Sequence, residues 1–366
     1  MLARLEQTTC LARRAGAVLA LVLLQAISVG ARVGQRALVV TPRPNQSTDR
    51  DEVELIHQRE GEAILALADA AMAGKPVPSD FGVRWQNEFV KAQRGTFVPF
   101  TLTVDASQLT RPSALMYVRA ARRDQVGEKA SYPVDAIFPV ELTQGAGGAV
   151  RISRGFSVLP GEYDVLVVLR ERVDPAATRP RPKVSVVRQP ISVPDFWSNE
   201  LTTSSMMLAD RLSVLPEPVA ADQIAERPYA IGRNEITPAV DRRFRKDEEL
   251  IVVFLVYNPM VTTERHFDVK VEYHFYRKGG AVSGESAPPH PPARAGETYV
   301  NHTDPQRFNP ALMGAAFDPS RGEPVMAGQV VPLAGFEAGE YRLAVQVTDL
   351  LSGQSISRDV LFTVGS

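Results

Sequence analysis

The chain has 366 residues, 44% hydrophobic and 23% charged, a globular composition on a length that exceeds one typical core. Its 41 Lys and Arg are scattered among 42 Asp and Glu, a net charge of -1, whereas a nucleic-acid binder concentrates basic residues on one face. A single cysteine, Cys10, excludes a disulfide framework, while 28 Pro and 25 Gly suit a chain with many turns.

Arg4, Arg13 and Arg14 precede an uncharged run, Ala15 to Ala31, that closes on Val29, Gly30 and Ala31. Residues 1-31 therefore carry the basic, apolar and small-residue pattern of an export signal. The alternative is a membrane anchor, since the 17 uncharged residues reach the lower limit for a spanning helix. Cys10 precedes the apolar run and is not placed as a lipidated cysteine. Its removal with the signal would leave a chain held by core burial, without thiol catalysis or cysteine-ligated zinc.

Residues 32-48, with "TPRPNQST", read as a linker. Over 49-74 the sequence predicts one amphipathic helix. Asp49 and Glu52 form an N-cap signature, Val53, Ile56, Ile64, Leu67 and Ala71 recur at helical spacing, Gly61 weakens the middle, and Gly74, Pro76 and Pro78 end it. Its apolar face is expected against the following domain, with docking to a partner as the alternative.

From Trp85 the period becomes two. "GTFVPFTLTVD" aligns Val98, Phe100, Leu102 and Val104 on one face, and strands are expected at 114-120, 132-140, 149-159, 163-170 and 183-193. Residues 84-195 thus read as a first β-sandwich, closed by "VPDFW", with Phe196 and Trp197 expected at an interdomain junction. Residues 200-366 repeat the plan. "ELIVVFLVYNP" and "FDVKVEYHFYRKGG" read as strands, a Pro- and Gly-rich stretch over 279-324 reads as a long loop, and strands at 340-348 and 355-364 are joined by "DLLSG". The fold class is all-β: tandem immunoglobulin-like or fibronectin-like β-sandwiches with one N-terminal amphipathic helix.

Gly-Glu-Tyr occurs twice, in "LPGEYDVLVVL" and "EAGEYRLAVQV". Tyr341 heads a row with Leu343, Val345 and Val347, so its ring is expected inside, while Glu162 and Glu340 face solvent. A tyrosine opening a late sandwich strand suits a tyrosine corner, in which the hydroxyl bonds backbone just upstream. Gly161, Tyr163, Gly339 and Tyr341 are assigned to two such corners.

Catalytic chemistry finds little support. G-x-S-x-G, P-loop, H-E-x-x-H and G-x-G-x-x-G motifs are missing from the sequence. His266 and His274 on one strand would stand about 26 Å apart at ~3.3 Å per residue, too far to share a metal. The candidate ligand-binding set is His302, Asp304, Arg307 and Asp318 in the 279-324 loop. No catalytic residue, metal ligand or cofactor is assigned.

The segments "SSMMLADRLSVLPEP", "NEITPAVDRRFRKDEELIVVFLVYN" and "GEYRLAVQVTDLLSGQSISRDVLFTV" resemble the β-sandwich portion beside the motif in GWxTD-domain proteins, exported bacterial proteins of the acidobacterial type. The resemblance covers residues 200-366. The Gly-Trp-x-Thr-Asp motif itself is absent, Trp85 and Trp197 being the only tryptophans. What it implies is an extracytoplasmic bacterial setting, periplasmic or extracellular, with no functional residue carried over. The expected role is a non-catalytic interaction or structural module at the cell envelope. Its partner would be an envelope or extracellular protein, with no nucleic acid and membrane only through 15-31 if uncleaved. The alternatives are a glycan-binding module or hydrolase using the 279-324 loop, and a membrane-anchored assembly subunit with extracytoplasmic domains.

Overall fold

The computed structural model describes residues 47–125, 132–173, 181–279, 291–314 and 316–365, with side chains from Gln58 onward. The 1-31 segment and most of the 32-48 linker lie outside the described residues, and among those described no helix is long and apolar enough to cross a membrane. The fold is all-β, two sandwiches in tandem with one long helix on the first.

The helix, α1 (Ser47–Met72), begins two residues before the expected start, so residues 47 and 48 belong to it and not to the linker. Its end is a Schellman motif: Gly74 N–H donates to the Ala71 carbonyl at 3.1 Å, Lys75 N–H reaches the Ala70 carbonyl at 2.9 Å, and Gly74 takes φ 70. Val53 and Ile56, expected on the apolar face, lie where side chains are not described. Ile64 and Ala68 supply the described contact face.

The first sandwich contains β1 (Val83–Asn87), β2 (Val90–Lys91), β3 (Thr96–Asp105), β4 (Ser113–Arg122), β5 (Val134–Glu141), β6 (Ala149–Val158), β7 (Gly161–Glu171) and β8 (Val184–Val193). One sheet runs β5-β4-β7-β8; in the other, β3 pairs β6 on one side and β1 then β2 on the opposite side. Alternation builds the core: Val98, Phe100, Leu102 and Val104 meet Met116, Val118, Val165 and Val167 across the sandwich. Strands β4 and β7 instead read as unbroken apolar runs because both faces are covered. Leu115, Tyr117, Leu166 and Val168 point outward and are buried under Ile64 and Ala68 of α1.

The second sandwich contains β9 (Thr202–Thr203), β10 (Met207–Val214), β11 (Ala230–Ile231), β12 (Asn234–Pro238), β13 (Arg243–Phe244), β14 (Glu249–Tyr257), β15 (Val269–Lys278), β16 (Glu297–His302), β17 (Gln306–Phe308), α2 (Pro310–Met313), β18 (Val325–Pro332), β19 (Gly339–Asp349) and β20 (Ser355–Val364). One sheet runs β11-β12-β10-β14-β18, with β9 also on β14; the other runs β13-β20-β19-β15-β16, with β17 also on β15. Its core places Phe254, Val252 and Leu250 against Tyr273, Val271 and Leu343.

The 279-324 stretch departs from the long loop read in the sequence. Both β16 and β17 lie within it and pair antiparallel with β15, and α2 and a 3-10 turn at Pro319–Arg321 follow. Short strands are decided by the neighbour that receives them more than by their own composition. His266 also lies before β15, so it does not share a strand with His274.

Candidate functional site

The structure gives the four candidate ligand-binding residues separate tasks. His302 ends β16 directly opposite His274 of β15, with ring centroids 6.3 Å apart, and its Nδ1 lies 2.8 Å from the Tyr299 hydroxyl. Arg307 sits opposite Lys270, four residues further along β15, or about 13 Å at ~3.3 Å per residue. Its guanidinium grips both carboxylate oxygens of Asp268, whose pKa this pairing lowers. Asp304 is exposed in the turn between β16 and β17. Asp318 caps the Pro319–Arg321 turn, accepting from Ser320 N–H at 3.0 Å and Ser320 Oγ at 2.5 Å, and the Ser320 hydroxyl is the leading cause that holds its carboxyl below the usual range. The four do not converge on one pocket. Among the described residues no group of three His, Cys, Asp or Glu is placed to hold a metal ion.

The two corners have matching geometry. Tyr163 Oη donates to the Leu159 carbonyl at 3.0 Å and Tyr341 Oη to the Glu337 carbonyl at 2.7 Å, each four residues upstream. Gly161 and Gly339 adopt φ 144 and φ 158, and a Cβ on either would press on an arginine, Arg122 at 3.3 Å and Arg277 at 2.9 Å. Those arginines stand opposite the corner tyrosines in the β4–β7 and β15–β19 registers. Glycine is favoured here by conformation, and a Cβ would in addition make the arginine laid across it shift.

A second repeated device escaped the sequence reading. Eight residues after each corner tyrosine stands a buried carboxylate, Glu171 at the end of β7 and Asp349 at the end of β19. Glu171 accepts from Thr110 N–H at 2.5 Å, Thr110 Oγ1 at 2.7 Å, Arg111 N–H at 3.1 Å and Lys183 N–H at 3.0 Å. Asp349 accepts from Met260 N–H at 2.7 Å, Leu351 N–H at 3.0 Å and Ser352 Oγ at 2.7 Å. Each ties the connection entering β4 or β15 to the chain that follows its own strand. The signal was present, since "GEYDVLVVLRE" and "GEYRLAVQVTD" both end on an acid.

The sandwiches meet through a dense junction. Phe196 is buried with its ring 5.2 Å from that of Tyr257, beside Leu255. Lys91 N–H donates to Tyr257 Oη at 3.0 Å, and Phe89 and Ser205 exchange two hydrogen bonds, Phe89 N–H to Ser205 Oγ at 2.9 Å and Ser205 N–H to the Phe89 carbonyl at 3.0 Å. Further along, Thr101 Oγ1 donates to Tyr229 Oη at 3.1 Å, Gly155 N–H to the Ala225 carbonyl at 2.9 Å, and Arg151 pairs with Asp210 at 2.8 Å. Burial pushes the Tyr229 and Tyr257 phenols up and the Lys91 ammonium down. Trp197, expected inside this junction, is half exposed; its ring lies under Lys91 Nζ at 4.4 Å, and its indole N–H reaches the Gly95 carbonyl at 3.2 Å.

Beside the junction opens a cleft of about 400 Å³ lined by Arg84, Trp85, Gln86 and Asn87 of β1, Gln189 of β8 and Arg242 of the second sandwich. Arg242 also lies 3.6 Å from Glu88, a buried carboxyl that desolvation holds above its ordinary value against the opposing pull of that guanidinium. No model of a known protein family matches the chain, and no curated protein matches it.

Proposed function

We propose that this protein is an exported, non-catalytic module of the bacterial cell envelope, in which two β-sandwiches held as one unit present binding surfaces to another envelope or extracellular component. The observation that carries this reading is the junction. An interface closed by Phe196, Leu255 and Tyr257 and crossed by main-chain hydrogen bonds at Phe89 and Lys91 resists the relative motion expected of domains joined only by a linker. Fixed mutual orientation suits a spacer or presenting scaffold. The signal-like pattern at 1-31 supports export, and the resemblance of 200-366 to the sandwich portion of GWxTD-domain proteins supports the bacterial setting.

The test is fractionation of the native cells with N-terminal sequencing of the protein, followed by photo-crosslinking from exposed positions in the same cells. A chain starting near Arg32 in an envelope fraction and a discrete crosslinked adduct are expected. An intact Met1 in the cytosolic fraction would overturn the export reading, and the absence of any adduct from several surface positions would overturn the module reading.

A further inference from the structure

The interdomain cleft has an unusual lining. Arg84 and Arg242 supply guanidinium groups, Arg242 also pairing with Glu88, and Gln86, Asn87 and Gln189 supply three primary amides. Gln86 Nε2 donates to Glu88 at 3.3 Å, Gln189 Nε2 to the Pro190 carbonyl at 3.1 Å, and Asn87 Oδ1 accepts from the Trp85 indole at 2.9 Å, which leaves the Gln86 and Gln189 oxygens and the Asn87 N–H groups to turn to a ligand. The half-buried Trp85, stacked on Phe100 with ring centroids 4.4 Å apart, forms an apolar wall. None of the six lining side chains named is a carboxylate. Arg84 is exposed, and among the described residues no carboxylate is paired with it.

Arg242 adds a conformational argument. It takes φ 52, the left-handed region that favours glycine or asparagine, so its backbone is strained for an arginine. The strain is held in place because Arg242 N–H donates to the Ala239 carbonyl at 3.3 Å and its own carbonyl accepts from Thr363 N–H at 2.9 Å, fixing the turn to the end of β20. The result keeps a guanidinium at the mouth of the cleft.

Small-molecule sites gather at domain interfaces, and a volume of about 400 Å³ lies within the range of about 300–1,000 Å³ usual for them. Guanidinium groups match a carboxylate in a planar, two-pronged fashion, and primary amides match hydroxyls because they both donate and accept. A bare phosphate, which mainly accepts, would use the arginines and the amide N–H groups and leave the amide oxygens without a donor, whereas hydroxyls serve both.

We propose that this cleft binds an acidic saccharide of the uronic acid type, its carboxylate held by Arg84 and Arg242 and its hydroxyls by Gln86, Asn87 and Gln189. This site is distinct from the dispersed 279-324 residues and does not depend on where the protein resides.

The test is calorimetric titration of the purified protein at low salt with trigalacturonate, a neutral galactose trisaccharide and inorganic phosphate, alongside the variants Arg84→Gln and, as control, Arg358→Gln on exposed β20. Trigalacturonate is expected to bind, the neutral sugar to bind at least tenfold more weakly, and Arg84→Gln to weaken trigalacturonate at least tenfold with an unchanged urea midpoint while Arg358→Gln has no effect. A second variant, Arg242→Gly combined with Glu88→Gln, removes the guanidinium without stranding its buried partner and is expected to lose binding while remaining folded. No heat with trigalacturonate, equal affinity for the neutral sugar, displacement by equimolar phosphate, or unchanged binding in Arg84→Gln would each overturn the proposal.

Discussion

Replacing Glu171 should show how far one side chain holds the first sandwich closed. Its carboxylate takes four hydrogen bonds from Thr110, Arg111 and Lys183, residues 61, 60 and 12 positions away in sequence. Hydrogen bonds to a charged acceptor contribute about 1.5–3 kcal/mol each, but Thr110 is exposed and Arg111 and Lys183 are half-buried, so the released N–H groups regain water. The net loss for Glu171→Ala is therefore about 3 kcal/mol, and for Glu171→Gln, which keeps one accepting oxygen, about 2 kcal/mol.

Urea unfolding and hydrogen exchange together provide the assay. With a slope of about 1–3 kcal/mol/M, Glu171→Ala should lower the midpoint by about 1–3 M, and protection should fall at the Thr110, Arg111 and Lys183 amides before it falls elsewhere. The pH dependence has a defined sign. Desolvation raises the Glu171 pKa, but the hydrogen bonds from Thr110, Lys183 and Arg111 outweigh it and bring the folded value below the ordinary 4.5. Its stabilisation is thus present above pH 4.5 and is lost as pH falls through the lower folded value, so wild type and Glu171→Gln should converge in acid. A midpoint change equivalent to less than about 0.5 kcal/mol, with protection at the three amides intact, would refute the clasp.

Tyr163→Phe and Tyr341→Phe should each cost about 1 kcal/mol by chemical denaturation, because each removes one hydroxyl donor to a backbone carbonyl and leaves the ring packed; a neutral result in both would remove the corner from the stability argument. Gly61→Ala should stabilise α1 by about 1 kcal/mol, read as a rise in thermal midpoint, since the added methyl meets only Ile137 Cδ1 at an ordinary 4.0 Å. Glu88→Gln should leave stability unchanged below the ordinary value of 4.5 and raise it above the folded pKa of Glu88. Burial lifts the folded pKa of Glu88, so the wild type loses stability as pH rises through that value and the variant does not, a difference readable from melting temperatures across pH.

Strands β3 to β8 of the first sandwich were legible because each is a long alternating or unbroken apolar run bounded by turn residues, and the corner tyrosines because they head such a row; β1 and β2, five and two residues long, were not. The parts that were illegible depend on distant chain. "ETYVNH" carries too little pattern to declare a strand, yet β15 receives it as β16, and its arrival separates His302, turned to His274, from Arg307, turned to Asp268. The cleft draws on positions 84–87, 189 and 242, with no motif to link them.

The two sandwiches differ in what covers the outer face. Counted from the corner tyrosines, Leu166 and Val168 of β7 correspond to Ala344 and Gln346 of β19. The apolar pair requires a helix, and α1 supplies it. On the second sandwich, Arg342 lies over the Tyr276 ring at 4.1 Å and pairs with Glu297 at 2.6 Å and Asp359 at 3.0 Å, while Tyr276 donates to the Pro291 carbonyl. That face is closed by the segment leading into β16, through charge and hydrogen bonding. A buried guanidinium with its two carboxylate partners does not match an apolar helix face, so a helix like α1 has no fitting surface there. The polar closure of the second sandwich thus accounts both for its face carrying no cover like α1 among the described residues and for the strand β16 within the proline-rich stretch.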